Sequence, residues 1–323
     1  MFDLVKSMKP HETKKTLSLN EARNCVIAMS KPMGQAVQLI EINLKKMNDV
    51  KNQCKTFDAD IRSFQAELHF KAFEREIMML DYPMTVCAAE TCKEYVNIGK
   101  SRERNTVYKQ VCHDHCYLSG VRIETTNNEQ LRNCAAMSGG KCTQCRFDCN
   151  YSVHMHITYT TNLVEKEFLS DAAQKEIKEK SDLKSQKEAF IRELERNIKE
   201  LDDEKKFIYE CASYFGVFLK ENAMIAYNDS FSEYLDMLIR EEEAKEKVIR
   251  DDKKIQKMKR DKQTYETKKD VIMKNIASGC QDKNEAIPIE KIYEMRRKLC
   301  SLKHNGKTLR EALGRCIRIS LLR

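Results

Sequence analysis

The chain has 323 residues, of which 33% are charged and only 7% are aromatic. Its 4 Pro and 9 Gly residues are too few for a turn-rich sandwich or barrel, so the composition favours long helices with local packing over one large core. The net charge of +8 comes from interleaved basic and acidic residues, which argues against nucleic-acid binding through a single basic face.

Residues 1–82 are predicted to form an N-terminal helical segment. Ser18 followed by Glu21 matches a capping box, which predicts a helix start at this point. Pro32 and Gly34 predict a helix break or a new first turn. Two sets of apolar side chains are predicted to form packing stripes: Met33, Val37, Ile40 and Leu44, then Ile61, Phe64, Leu68 and Phe73.

Residues 83–160 differ from the rest of the chain because they concentrate cysteine and histidine. Residues 121–123 and 153–159 alternate between apolar and polar side chains, which predicts two short strands. In the second run, His154 and His156 are expected on one face and the apolar residues on the other. The sequence therefore predicts a small β-containing module.

Residues 161–323 are predicted to be helical. A 3-4 spacing from Ile191 to Ile208 predicts a short coiled coil, in which Lys205 interrupts one core position. The strongly charged segment Arg240–Asp270 is predicted to be an exposed helix stabilised by i,i+4 ion pairs, and 275–288 a loop. Two further helices are predicted on either side of a turn at Asn305-Gly306. The fold class is thus mainly α, with long helices and a short coiled coil flanking the β-containing module.

The cysteines of the middle segment are predicted to bind zinc. The sequence has neither an apolar span of about 18 residues nor a secretory signal, which favours a cytoplasmic protein with reduced thiols and no membrane association. Zinc is bound by four Cys or His side chains in a tetrahedron. The candidate ligands are Cys87, Cys92, Cys112, His113, Cys116, Cys134, Cys142, Cys145, Cys149, His154 and His156.

These ligands suit two structural zinc sites with some residues left over. One site would use Cys87, Cys92, Cys116 and either Cys112 or His113. The other would use Cys142, Cys145, either His154 or His156, and either Cys134 or Cys149. The alternative for each ligand is an ordinary buried thiol, which we predict for the cysteines in helical patterns: Cys25, Cys54, Cys211, Cys280, Cys300 and Cys316.

The sequence contains no complete catalytic motif that we can identify. Gly99-Lys100-Ser101 and Gly306-Lys307-Thr308 match only the end of a phosphate-binding loop, since Glu94 and Ser301 stand where its first Gly is required. We therefore predict a non-enzymatic scaffold that binds protein partners or itself through its helices. The alternatives are a RING-like ubiquitin ligase, whose opening Cys-x2-Cys is replaced here by Cys87-x4-Cys92, and a zinc-dependent nucleic-acid-binding module.

Several of these motifs together resemble the C-terminal half of a group of animal proteins that begin with an AIG1-like P-loop GTPase domain. The resemblance rests on the connector Pro10-His11 with 16–23, on Cys112-His113-x-x-Cys116, on Cys142-x2-Cys145, and on His154-x-His156 before Tyr159. Because the connector stands at residue 10, the resemblance implies a truncated gene product or a paralogue without the GTPase domain, which could then act in trans. The family has a tighter Cys-x2-Cys-x-Cys, so the resemblance does not extend to Cys149.

Overall fold

Helices make up most of the described chain, which confirms the mainly α prediction. The computed structural model describes residues 13–56, 69–97, 104–119, 121, 126–222, 229–245, 247, 250–277 and 287–321. The helices are α1 (Thr13–Thr56), α2 (Asp171–Lys178), α3 (Leu183–Glu221), α4 (Ser230–Glu243), α5 (Asp252–Ala277), α6 (Ile289–Cys300) and α7 (Gly306–Leu321). Among the described residues, no helix has both the length and the apolarity needed to cross a membrane.

Helix α1 is continuous through the predicted break. It begins at Thr13, upstream of the predicted cap Ser18, and includes Pro32 and Gly34 in its interior. The helix contacts α3, α4, α6 and α7, and this packing compensates for the backbone hydrogen bond that Pro32 cannot donate. Gly34 allows close packing: a Cβ at this position would lie 2.1 Å from Cδ1 of Tyr234 on α4.

Gly34→Ala is expected to lower the free energy of unfolding, although alanine has the higher helix propensity. The propensity gain of about 1 kcal/mol is opposed by overpacking against the Tyr234 ring, which costs about 1–3 kcal/mol. Urea denaturation would measure the difference. Asn24→Ala, at an exposed position of the same helix, is the control and should not destabilise. If Gly34→Ala stabilises the protein, or if adding Tyr234→Ala does not relieve the loss, the close-packing explanation is wrong.

The helices share one extended apolar core, so the prediction of local packing without a large core is wrong. Buried side chains from all seven described helices belong to the same cluster, among them Ile40, Leu194, Leu235, Tyr265 and Leu309. The core could form because α1 and α3 are long enough to contact most of the other helices. Whether α3 forms a coiled coil with another helix stays a prediction.

The charged segment Arg240–Asp270 is not the single exposed helix that its composition predicts. Helix α4 ends at Glu243 and α5 begins at Asp252, and Tyr265 on α5 is buried. Lysines of this region form ion pairs between elements: Lys262 with Asp236 at 2.6 Å and Lys269 with Asp229 at 2.6 Å. The charge pattern of a segment does not show which acidic residues on other elements pair with its lysines. For this reason the prediction of a single exposed helix was wrong. Most of the predicted loop 275–288 lies outside the described residues.

Among the described residues between α1 and α2, the chain forms three small sheets. Two long strands, β1 (Lys71–Cys87) and β7 (His154–Glu167), pair as an antiparallel ribbon, and β4 (Val111–His113) pairs with the other edge of β1. The others are the hairpins β2 (Glu94–Asn97) with β3 (Arg104–Val107) and β5 (Met137–Ser138) with β6 (Lys141–Cys142). The strand predicted over 153–159 is confirmed from His154 onward. Arg122 and Ile123 of the other predicted strand lie outside the described residues.

The start of β1 corrects the predicted helical segment 1–82. The strand begins at Lys71, so Phe73 belongs to a strand and not to a helical stripe. Ile61, Phe64 and Leu68 of the same predicted stripe lie outside the described residues.

The ribbon joins the cysteine-rich module to the helical body. On α1, Asn43 accepts a hydrogen bond from the Phe73 amide at 2.8 Å and donates one to the Phe73 carbonyl at 2.9 Å. Nearer the module, Lys93 forms a buried ion pair with Glu241 of α4 at 3.1 Å. The first pair of contacts holds the start of β1 against α1, and the second holds the module itself against α4.

Candidate metal centre

The ribbon presents a row of candidate ligands on one face of its sheet. Cys87 pairs across the ribbon with His154, and Thr85 pairs with His156 on one side and His113 on the other. Directly opposite residues of an antiparallel pair project to the same face. His154 and His156 therefore share a face, as predicted, and both are fully buried. The opposite face is apolar and carries a cluster of Val86, Met155 and Ile157.

Two tight turns bring the later cysteines over this face. Gly139 and Gly140 connect β5 to β6 with φ angles of 57° and 80°, a two-residue hairpin conformation that favours glycine. Cys142 follows one residue after this turn, on β6. The loop that follows is closed by a hydrogen bond of 2.8 Å from the Cys142 amide to the Cys149 carbonyl. Asp148, at a φ of 46°, makes the left-handed turn that this closure requires. The loop thereby places Cys145 and Cys149 beside the ribbon.

The first group of donors consists of four cysteines from three segments. The sulfur atoms of Cys87, Cys92, Cys145 and Cys149 all lie within 4.8 Å of one another. Cys92 Sγ is 3.8 Å from Cys149 Sγ. Two sulfurs bound to one tetrahedral zinc at about 2.3 Å are about 3.8 Å apart, so this spacing fits a shared ion.

The second group contains three cysteines and one histidine, all buried: Cys112, Cys142, Cys145 and His154. Cys145 Sγ is 3.5 Å from Cys112 Sγ and 3.3 Å from His154 Nε2. His154 Nδ1 lies 2.8 Å from the Asn150 carbonyl and must donate to it, because a carbonyl only accepts. The bond leaves Nε2 unprotonated and directed at the cysteines, an arrangement common in metal-binding histidines.

The third group lies further along the same face. His113, Cys116 and Cys134 have donor atoms within 4.8 Å of one another, with His113 Nδ1 at 3.2 Å and Cys116 Sγ at 3.8 Å from Cys134 Sγ. Both ring nitrogens of the neighbouring His156 are buried without a hydrogen-bond partner. Burying an imidazole in this way is costly unless a partner such as a metal ion satisfies it. His156 is therefore the candidate fourth ligand.

The pKa shifts of the thiols agree with a site built around a cation. Burial raises the pKa of Cys87 and Cys145, and raises that of Cys112 to about 12. The hydrogen bond between the two thiols lowers the pKa of Cys116 to about 3 and raises the pKa of Cys134. Metal ions bind the thiolate form, and a bound divalent cation offsets the cost of burying several thiolates together.

The observed grouping differs from the predicted pairing. The structure places Cys87 and Cys92 with Cys145 and Cys149, whereas the sequence paired them with Cys112 or His113 and Cys116. Sequence proximity is a poor guide here because β1 pairs with β7, so Cys87 faces His154 and the loop next to it. Cys149, to which the family resemblance does not extend, belongs to the first group because its loop is closed onto Cys142.

The remaining cysteines are separate from these groups. Cys25, Cys54, Cys211 and Cys300 pack in or against the helical core, as predicted. The side chains of Cys280 and Cys316 lie outside the described residues. His115, within the Cys112–Cys116 motif, stacks on Tyr82 at a ring distance of 3.4 Å and belongs to none of the groups.

The variant His156→Leu distinguishes two possible roles of His156: a ligand of a metal ion, or a buried side chain that only fills space. If His156 binds metal, the variant should lose about one ion per chain and the module should become more sensitive to protease. If the ring only fills space, leucine should be neutral or stabilising, because it removes two buried unpaired nitrogens. Elemental analysis and limited proteolysis would measure both. His115→Leu is the matched control and should retain the full metal content.

Comparison with known proteins gives one match. Residues 79–160 match a family described as a domain of unknown function (DUF8206). The matched segment contains all the candidate ligands in the three groups, together with His156. No curated protein and no solved structure matches the chain.

Proposed function

We propose that the chain is a non-enzymatic scaffold or protein-interaction protein whose module over residues 83–160 is stabilised by structural zinc. One observation carries the proposal: the thiol and imidazole donors of this segment converge in three groups that are largely buried. Where thiols are kept reduced, Cys and His donors that converge at these distances are typical of a zinc site.

The chemistry of the donors supports zinc. The groups contain only cysteine and histidine, which suit zinc, whereas calcium and magnesium require mainly oxygen ligands. A structural role follows from the number of donors. Each of the first two groups offers four, which fills a tetrahedron, whereas a catalytic zinc keeps one position for water or substrate.

Two exposed aromatic side chains, on the loops that carry the candidate metal ligands, support the scaffold role. Tyr117 follows Cys116 directly, and Phe147 lies between Cys145 and Cys149. Both aromatic side chains are exposed, Tyr117 at 70% and Phe147 at 56%. Exposed aromatic residues on a rigid framework are typical anchors of protein interfaces. Zinc would fix the loops that carry these rings and so determine the shape of the surface offered to a protein partner.

Light scattering after size exclusion tests the interaction part of the proposal, with self-association as its simplest form. We expect concentration-dependent dimers or higher oligomers that Tyr117→Ser with Phe147→Ser weakens. If the protein stays monomeric at high concentration and binds no partner through these rings in cross-linking, the scaffold role is wrong. Zinc content is measured separately, so the metal and interaction parts can fail independently.

A further inference from the structure

We infer that Cys145 bridges two zinc ions, so that the first two groups form one binuclear cluster and the chain binds three ions in all. This inference rests on the proposed zinc module and specifies its stoichiometry. It begins from one geometric fact: the two groups share Cys145 and no other residue.

The donor count favours two ions in this cluster. Together the two groups offer seven residues: Cys87, Cys92, Cys112, Cys142, Cys145, Cys149 and His154. Two separate tetrahedral ions require eight donors, and one ion uses only four. Seven donors fill two tetrahedra when a single donor is counted twice.

The shared residue is one that can bridge. A thiolate sulfur has several lone pairs and can bind two metal ions, whereas each imidazole nitrogen has one. Cys145 Sγ also lies close to members of the second group, at 3.5 Å from Cys112 and 3.3 Å from His154. It therefore has the chemistry and the position that a bridge requires.

A single ion would leave buried donors without a partner. An ion in the first group alone leaves Cys112, Cys142 and His154 in the interior with no cation. An ion in the second group alone leaves Cys87, whose side chain is fully buried, beside two further thiols. Metal binding contributes directly to the free energy of folding, so occupation of both positions stabilises the module more than occupation of one.

Charge also favours the bridged cluster. Six thiolates and two divalent ions give a net charge of −2, the same as one zinc bound to four thiolates. The bridge thus accommodates two ions at no greater net charge than one ion in the first group. The third group shares no residue with either of the others and would hold its ion separately.

The experiment is NMR of the full chain loaded with ¹¹³Cd, a spin-active substitute for zinc, with metal counting on the zinc-loaded protein. We expect about three ions per chain and three cadmium resonances. Two of these should show mutual scalar coupling through the shared sulfur and the third should show none. Cys116→Ala should remove the uncoupled resonance and leave the coupled pair. Cys145→Ala should abolish the coupling, and Cys211→Ala, in the helical core, should change neither.

The possible outcomes distinguish the bridging role of Cys145 from the zinc module on which it depends. Two ions per chain, or three resonances without coupling, would overturn the bridge and leave the zinc module standing. A folded module that binds no metal would overturn both. The coupling is measured on the unmodified chain, so the test does not depend on whether Cys145→Ala folds.

Discussion

Removing zinc with a chelator, or replacing Cys142 by Ser, is expected to unfold residues 83–160 and leave the helices largely formed. Apart from the cysteines, the apolar clusters among the described residues of the module are small: Val86, Met155 and Ile157 form one, and Val121, Leu131 and Tyr151 form the other. Structural zinc contributes on the order of 10 kcal/mol of apparent binding energy at neutral pH, which is enough to decide whether such a module folds. The helices share a separate apolar core and should not depend on the metal.

Limited proteolysis with mass spectrometry locates the effect, and far-ultraviolet circular dichroism measures the helix content. After chelation the first cleavages should fall within residues 83–160, with only a modest loss of helical signal. Cys211→Ser is the matched control: it replaces a buried cysteine that belongs to no metal group. If the segment stays protease-resistant without metal, or helix content collapses throughout, this division between module and helices is wrong.

Lys205→Ala is expected to destabilise the helical body by about 3–5 kcal/mol, because it breaks a buried ion-pair network. Lys205 Nζ on α3 lies 2.6 Å from Glu41 on α1 and 2.8 Å from Asp261 on α5, and all three side chains are largely buried. Without the lysine, Asp261 loses its ion pair with Lys205, whereas Glu41 keeps its ion pair with Lys257, at 2.5 Å.

Urea denaturation of the helical body compares this variant with a matched surface variant. Lys206→Ala removes an exposed lysine whose contact is Asp203 at 3.4 Å, and we expect a change below about 1 kcal/mol. Adding Asp261→Asn to Lys205→Ala should restore part of the lost stability, because it removes an uncompensated charge. Equal effects of the two lysine substitutions would contradict the assignment of Lys205 to a buried network.

Lys205 also illustrates what the sequence could and could not predict. The heptad spacing placed it at a core position, and the side chain does lie between helices. The acidic residues that pair with Lys205, and so allow a lysine at this buried position, come from α1 and α5. These helices are far from Lys205 in sequence, and no local pattern identifies the two residues. The positions of the helices were predictable from local periodicity, whereas the packing of α5 against the core was not.

The candidate metal centre was likewise predictable only in part. The cysteine and histidine spacing identified the residues that converge, because close cysteine pairs on tight turns are typical of zinc sites in a reduced protein. Their grouping depends on the pairing of β1 with β7, which involves residues far apart along the chain. One local signal was available: the alternation around His154 and His156 indicated that both face the same side.

The zinc content of the 323-residue chain, purified under reducing conditions without added metal, tests the central claim most directly. Inductively coupled plasma mass spectrometry, with protein quantified by amino-acid analysis, gives the number of ions per chain. We predict about three zinc ions per chain, released in step with the unfolding of residues 83–160. A protein that lacks stoichiometric metal while this segment remains folded would contradict the proposed zinc module.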